Sequence, residues 1–102
     1  MVELLYFDGC PSHERLLPTV RRLVAEAGAE LQVRAVETLE AAEIERFLGS
    51  PTLRVNGVDV DPGAGERDDF GLKCRIYRSE EEGQSGVPPE AWISAALDRA
   101  TA

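Results

Sequence analysis

A chain of 102 residues with 43% apolar residues is the size of one domain with one real core, and its composition is unlike that of a disordered chain. A formal net charge of −8 argues against nucleic acid or an anionic membrane as the main partner, and the acidity clusters at Glu40 to Glu45, Glu66 to Asp69 and Glu80 to Glu82 as on a solvated surface. No apolar run approaches the roughly 18 residues of a spanning helix, and no basic leader precedes a cleavable apolar stretch, so a cytoplasmic protein is expected.

Val2 to Phe7 is a nearly continuous apolar run, the pattern of a strand buried on both faces. A helix is predicted from Pro11 to Ala27, with Leu16, Leu17, Val20, Leu23, Val24 and Ala27 on one stripe and Gly28 as its stop. Leu31 to Val36 alternates, with Gln32 and Arg34 outward, as in a strand nearer a sheet edge. Thr38 caps a short acidic helix running to Leu48 that buries Leu39, Ile44, Phe47 and Leu48. Thr52 to Val55 enters a strand through Pro51, Asn56-Gly57 is a type I′ hairpin signal, and Val58 to Val60 returns. Residues 61–87 read as an irregular, Gly- and charge-rich insertion, of a length usually functional or mobile. A last helix opens at Pro88-Pro89 and buries Trp92, Ile93, Ala96, Leu97 and Ala100. The order β-α-β-α-β-β-α predicts one α/β domain over residues 1–102, with a four-stranded mixed sheet between helices and a right-handed first βαβ unit.

Cys10 is the residue with the most chemical content. It stands where the first strand ends and the first helix begins, so unpaired N–H groups and the positive end of the helix dipole favour its thiolate. The expectation is an exposed nucleophile; the alternative is an inert cysteine buried at a strand end. His13, three residues on, can polarise that thiolate, protonate a leaving group, join it as a metal ligand, or be an ordinary first-turn residue. Cys74, in the insertion, is either a resolving cysteine or a half-buried one in an extended segment. Asp8 can tune Cys10 by raising its pKa against the dipole or simply serve the Asp8-Gly9 turn, and Glu14 fits the helix dipole without a further role. Cys10, His13 and Cys74 form only a weak metal-ligand pattern for a soft ion, and the residues imply no cofactor.

The element order, together with Cys10-Pro11-Ser12-His13 after the first strand, Pro18 eight positions past Cys10 and Gly49-Ser50-Pro51-Thr52 before the third strand, resembles the thioredoxin superfamily at its small, glutaredoxin-like size. The resemblance covers residues 1–60 and 88–100 well and the insertion poorly. It implies a thioredoxin-like three-layer sandwich and a cis Pro51 that turns Ser50 toward Cys10, with Pro11, Ser50 and Thr52 contacting a substrate chain. Asp8 to Pro11, Gly49 to Thr52 and Gly71 to Tyr77 are also similar to segments of small bacterial thioredoxin-like proteins, some of which carry an organomercurial-lyase label. His13 stands where the family has its second cysteine, which forbids a local Cys-x-x-Cys cycle. Three functions follow as expectations. In the first, a thiol–disulfide oxidoreductase, Cys10 attacks a protein or small-molecule disulfide and Cys74 or an external thiol resolves. The second is a soft-metal or organomercurial-handling protein using Cys10 with His13 or Cys74. The third is a redox-inactive thioredoxin-like binding module.

Overall fold

The computed structural model describes residues 1–101. Its central strand β1 (Val2–Tyr6) pairs in parallel with β2 (Leu31–Ala35) and antiparallel with β3 (Thr52–Val55), which pairs antiparallel with β4 (Val58–Asp59). The sheet order is β2-β1-β3-β4, a mixed four-stranded sheet as expected. Leu4 faces Val33 on one side and Leu53 on the other, and Leu4 and Leu5 are both fully buried. Successive strand residues point to opposite faces, so two adjacent buried leucines require cover above and below. The β3–β4 turn places Asn56 and Gly57 at φ 50 and 82, the left-handed pair that a type I′ turn demands.

On one face, α1 (Ser12–Ala27) and α3 (Glu90–Thr101) pack against the sheet in a cluster of Val2, Leu4, Leu16, Val20, Leu53 and Ile93. On the other, the short α2 (Leu39–Ile44) covers Leu5 with Ala42, joined by Val36 and Phe47. Among the described residues, no helix is long and apolar enough to cross a membrane.

Both α1 and α2 end in the same way. Gly28, at φ 67, donates its N–H to Ala25 O while Ala29 N–H reaches Val24 O. Arg46, at φ 56, donates to Glu43 O while Phe47 N–H reaches Ala42 O. These are paired Schellman closures, one at the expected glycine and one at an arginine. The second stops α2 at Ile44, short of the expected Leu48. Leu39 and Ile44 are therefore 67% and 74% exposed, contrary to expectation, whereas Phe47 and Leu48 are buried beyond the helix. At the edge, Val33 is exposed, and Arg34 folds down onto Glu3 and Glu45 instead of pointing away. Ala100 of α3 is exposed too, and Trp92 is half-buried.

The insertion is not irregular throughout. A 3₁₀ turn spans Ala64–Glu66, and β5 (Tyr77–Ser79) forms a two-stranded antiparallel hairpin with β6 (Gly83–Ser85). Tyr77, 1% exposed, packs its ring edge-to-face with Trp92 at 6.4 Å and donates its hydroxyl to Pro51 O at 2.5 Å. A residue the sequence left in a loop is thus part of the core.

Candidate functional site

The chain leaves β1 at Tyr6, turns with Cys10 N–H donating to Phe7 O at 3.1 Å, and starts α1 at Ser12. Pro11 occupies the N-cap, its φ of −80 suiting the entry, and no side chain caps the helix. The first-turn N–H groups therefore have no side-chain acceptor, which leaves the positive end of α1 beside Cys10. Ser12 Oγ lies 3.8 Å from Cys10 Sγ, in reach of a sulfur that gains negative charge.

Cys10 is bonded to Cys74 across a sequence separation of 64, with Cα atoms 5.5 Å apart, a normal span for a disulfide. The expected solvent-facing free thiol is therefore not what this state holds: Cys10 is only 2% exposed. Cys74, by contrast, is exposed.

Cys74 is placed by its neighbours. Ser50 and Cys74 form an isolated parallel bridge: Ser50 N–H donates to Lys73 O at 2.8 Å, and Arg75 N–H donates to Ser50 O at 2.9 Å. The Ser50–Pro51 bond is cis. Gly49 is what lets the two segments approach. At φ +126 a side chain is disfavoured, and a Cβ there would meet Arg75 Cβ and Lys73 O at 3.0 Å each.

Arg75 locks the segment from below. Its side chain is 0% exposed, with Nη1 donating to Asp59 Oδ2 at 2.8 Å and Thr52 Oγ1 at 3.1 Å, and Nη2 to Asp59 Oδ1 at 3.0 Å. Asp61 adds a longer contact at 3.4 Å, and the guanidinium lies 4.4 Å from the Tyr77 ring centroid. Burial alone would push the Arg75 pKa down, but Tyr77, Asp59 and Asp61 hold it above its ordinary value, so the cation stays charged. Burial likewise pushes the Tyr77 phenol well above its usual range, which keeps it a donor to Pro51 O. At the surface, Lys73 pairs with Asp69, which Arg67 and then Lys73 hold below the usual carboxylate range.

The residues singled out from sequence divide clearly. Cys10, Cys74, Ser50 and Pro51 come together, and Thr52 joins them through Arg75 while donating its own hydroxyl to Gly49 O at 2.7 Å. His13 does not reach the sulfur. Its Nδ1 lies 3.0 Å from Cys10 O, and a carbonyl only accepts, so Nδ1 carries the proton. The ring stacks on Tyr6 with centroids 4.3 Å apart. Pro18 lies inside α1, exposed, and the helix runs on past it; Asp8 and Glu14 are exposed. Among the described residues, no group of three His, Cys, Asp or Glu side chains is placed to hold a metal ion, since the two sulfurs close on each other and the imidazole turns to a carbonyl.

Sequence reading missed Ser12, Asp59, Asp61, Lys73, Arg75 and Tyr77. The one usable signal was alternation: Cys74 and Ile76 face outward while Arg75 and Tyr77 are buried, but an arginine on the inward side does not read as core. Asp59 and Asp61, two apart at a strand end, are the matching partners. A separate cavity of about 630 Å³ opens beside Arg46, Arg54, Arg67 and Phe70, and neither cysteine lines it. Three of its arginines are engaged: Arg54 with Glu45, Arg67 with Asp69 and Arg46 over the Phe70 ring.

No protein-family model matches this chain, and neither a curated protein nor a solved structure matches it.

Proposed function

We propose that this protein is a thioredoxin-like thiol–disulfide oxidoreductase whose redox couple is Cys10 and Cys74. The observation that carries the reading is the disulfide joining the start of α1 to the strand segment paired with Ser50. A structural staple needs only two cysteines in reach. Here one sulfur lies at a helix start that stabilises a thiolate, and the other is exposed on an anchored segment. The β2-β1-β3-β4 order, with α1 and α3 on one face and α2 on the other, supports the thioredoxin-like part of the reading.

In the reduced protein the dithiol reacts with a disulfide R–S–S–R. One protein thiolate attacks, a first R–S⁻ leaves, and the second protein thiolate displaces the other R–S⁻ while the Cys10–Cys74 bond forms. The partner is reduced by two electrons and the protein is oxidised by two; the two displaced thiolates take up the protons the cysteines lost. Cys10 contributes the helix-stabilised thiolate, helped by Ser12 Oγ, and Cys74 the second sulfur. The partner is a thiol or disulfide compound, small or protein-borne, in a compartment that supplies reducing thiols.

Turnover of a small aromatic disulfide with a thiol reductant tests this. Wild type is expected to catalyse the exchange, Cys74→Ser to lose it and Cys10→Ser to fall well below wild type. Equal turnover by either variant and wild type would remove the proposal.

A further inference from the structure

We infer that Cys74, and not Cys10, is the sulfur that exchanges with the external partner, with Cys10 closing the cycle from inside. This reverses the order the sequence led one to expect, and it rests on the exchange chemistry proposed above. Two independent observations agree on it.

The first is access. Cys10 is 2% exposed, whereas Cys74 is exposed. A thiolate must approach along the S–S axis, behind the sulfur it attacks, and of the two residues only Cys74 reaches the surface. Its flanking side chains do not screen it: Ile76 is 49% exposed on the same side of the segment, while Arg75 and Tyr77 turn inward.

The second is the leaving group. The sulfur that departs carries the electron pair of the broken bond, and the more stable thiolate leaves faster. Cys10 sits before the uncapped start of α1 with Ser12 Oγ 3.8 Å from its sulfur. Among the described residues, no hydrogen-bond donor contact to the Cys74 sulfur occurs. Attack at Cys74 thus expels the better-stabilised thiolate, whereas attack at Cys10 would need both a closed approach and the poorer leaving group.

Reduction is then written with a thiol R–SH as the named co-reactant. R–S⁻ attacks Cys74 Sγ, the S–S bond breaks toward Cys10 Sγ, and a mixed disulfide R–S–S–Cys74 forms beside a Cys10 thiolate. A second R–S⁻ attacks the R sulfur, giving R–S–S–R and a Cys74 thiolate that takes up a proton. Two thiols are oxidised and one protein disulfide is reduced. By microscopic reversibility, Cys74 also attacks an incoming disulfide, and Cys10 then displaces the partner. The anchoring of Cys74 by Ser50 on one side and by Arg75 on the other explains how an exposed sulfur stays in range of Cys10 throughout.

The experiment treats the oxidised protein with glutathione, quenches early with iodoacetamide, and maps the modifications by peptide mass. The expected product carries glutathione on Cys74 and the alkyl group on Cys10. Glutathione mainly on Cys10 overturns this inference while leaving the oxidoreductase reading intact. An intact disulfide with neither cysteine modified overturns both. Because a first adduct can migrate, a second measurement uses preformed glutathione adducts of Cys10→Ser and Cys74→Ser and follows their reduction by thiol. The Cys74 adduct is expected to be reduced about tenfold faster, since the closed approach at Cys10 outweighs the better leaving group that the Cys10 adduct offers. Equal rates, or a faster Cys10 adduct, contradict the assignment.

Discussion

The two halves of this molecule are held together by different physics. The β1–α1 half is a conventional apolar assembly in which Val2, Leu4, Leu16, Val20 and Val24 bury one another and α1 ends on a glycine. The segment from 71 to 77 has little apolar payload of its own beyond buried Tyr77 and half-buried Leu72. It is fastened by a buried guanidinium on Asp59 and Asp61, by a single bridge to Ser50, and by a disulfide. Apolar burial is non-directional and tolerates repacking, whereas a buried ion pair is unforgiving when one partner is lost. The contrast places Cys74, the sulfur proposed to exchange, on the half held by polar, specific contacts.

Perturbations that act on only one half sharpen the contrast. The largest effect is expected for Asp59→Asn, which leaves the fully buried Arg75 without its principal carboxylate; about 3 kcal/mol of stability should be lost, read as a shift in the urea midpoint. Asp61→Asn, at the 3.4 Å contact, should cost clearly less. If both are neutral, Arg75 does not anchor the segment.

Reducing the disulfide comes next. A cross-link over a separation of 64 residues contributes roughly 2–4 kcal/mol, chiefly through the unfolded chain. Hydrogen exchange after reduction should rise most in residues 71–76, through local opening, and in β1 and α1 only by the global stability lost. A uniform rise would mean the two halves are one cooperative unit.

Gly49→Ala is expected to cost about 1–3 kcal/mol, because strain at φ +126 adds to the approach of Arg75 and Lys73. Gly28→Ala, at φ +67 with nothing within 4 Å of the added methyl, should cost only about 1 kcal/mol. Thermal denaturation of the pair separates backbone strain from crowding.

The smallest effect is acid titration of the surface contact that flanks Cys74. Asp69 is held below its ordinary range by Arg67 and Lys73, so the folded state keeps it ionised where the unfolded state would protonate it. Its contribution is present above the ordinary carboxylate range and is lost as pH falls through and below it. The pairs are solvent-exposed, so Asp69→Asn should flatten the stability profile between about pH 5 and 2 by less than roughly 1 kcal/mol. An unchanged profile would show that this contact contributes nothing.

How much of this was legible follows the same division. The period of 3.6 in Leu16 to Val24, the apolar run at Val2 and the Asn56-Gly57 turn are local signals, and they place β1, α1 and the β3–β4 hairpin where they stand. The α2 boundary was not legible because its Schellman closure uses Arg46, a residue that carries no stop signal, and so Leu39 and Ile44 were misassigned to the core. The insertion was least legible. Its order comes from pairings between residues 16 to 26 positions apart, such as Arg75 with Asp59 and Tyr77 with Pro51, and no local pattern encodes them. Of the site, Cys10, Ser50 and Pro51 were visible as a strand end and a turn, and the meeting of Cys10 with Cys74 stood as an open possibility. The exposed position of Cys74 was signalled only by alternation with Arg75 and Tyr77, and an arginine on the inward side obscured it.

The central claim is that Cys10 and Cys74 form a working redox couple in the folded protein. Equilibrating the native protein in glutathione buffers of graded ratio, then counting alkylated thiols by intact mass, tests it directly. One reversible two-electron transition, with zero or two free thiols and both cysteines changing together under native conditions, is the predicted result. A disulfide that resists millimolar thiol until the protein unfolds would contradict the account and leave the bond a structural staple.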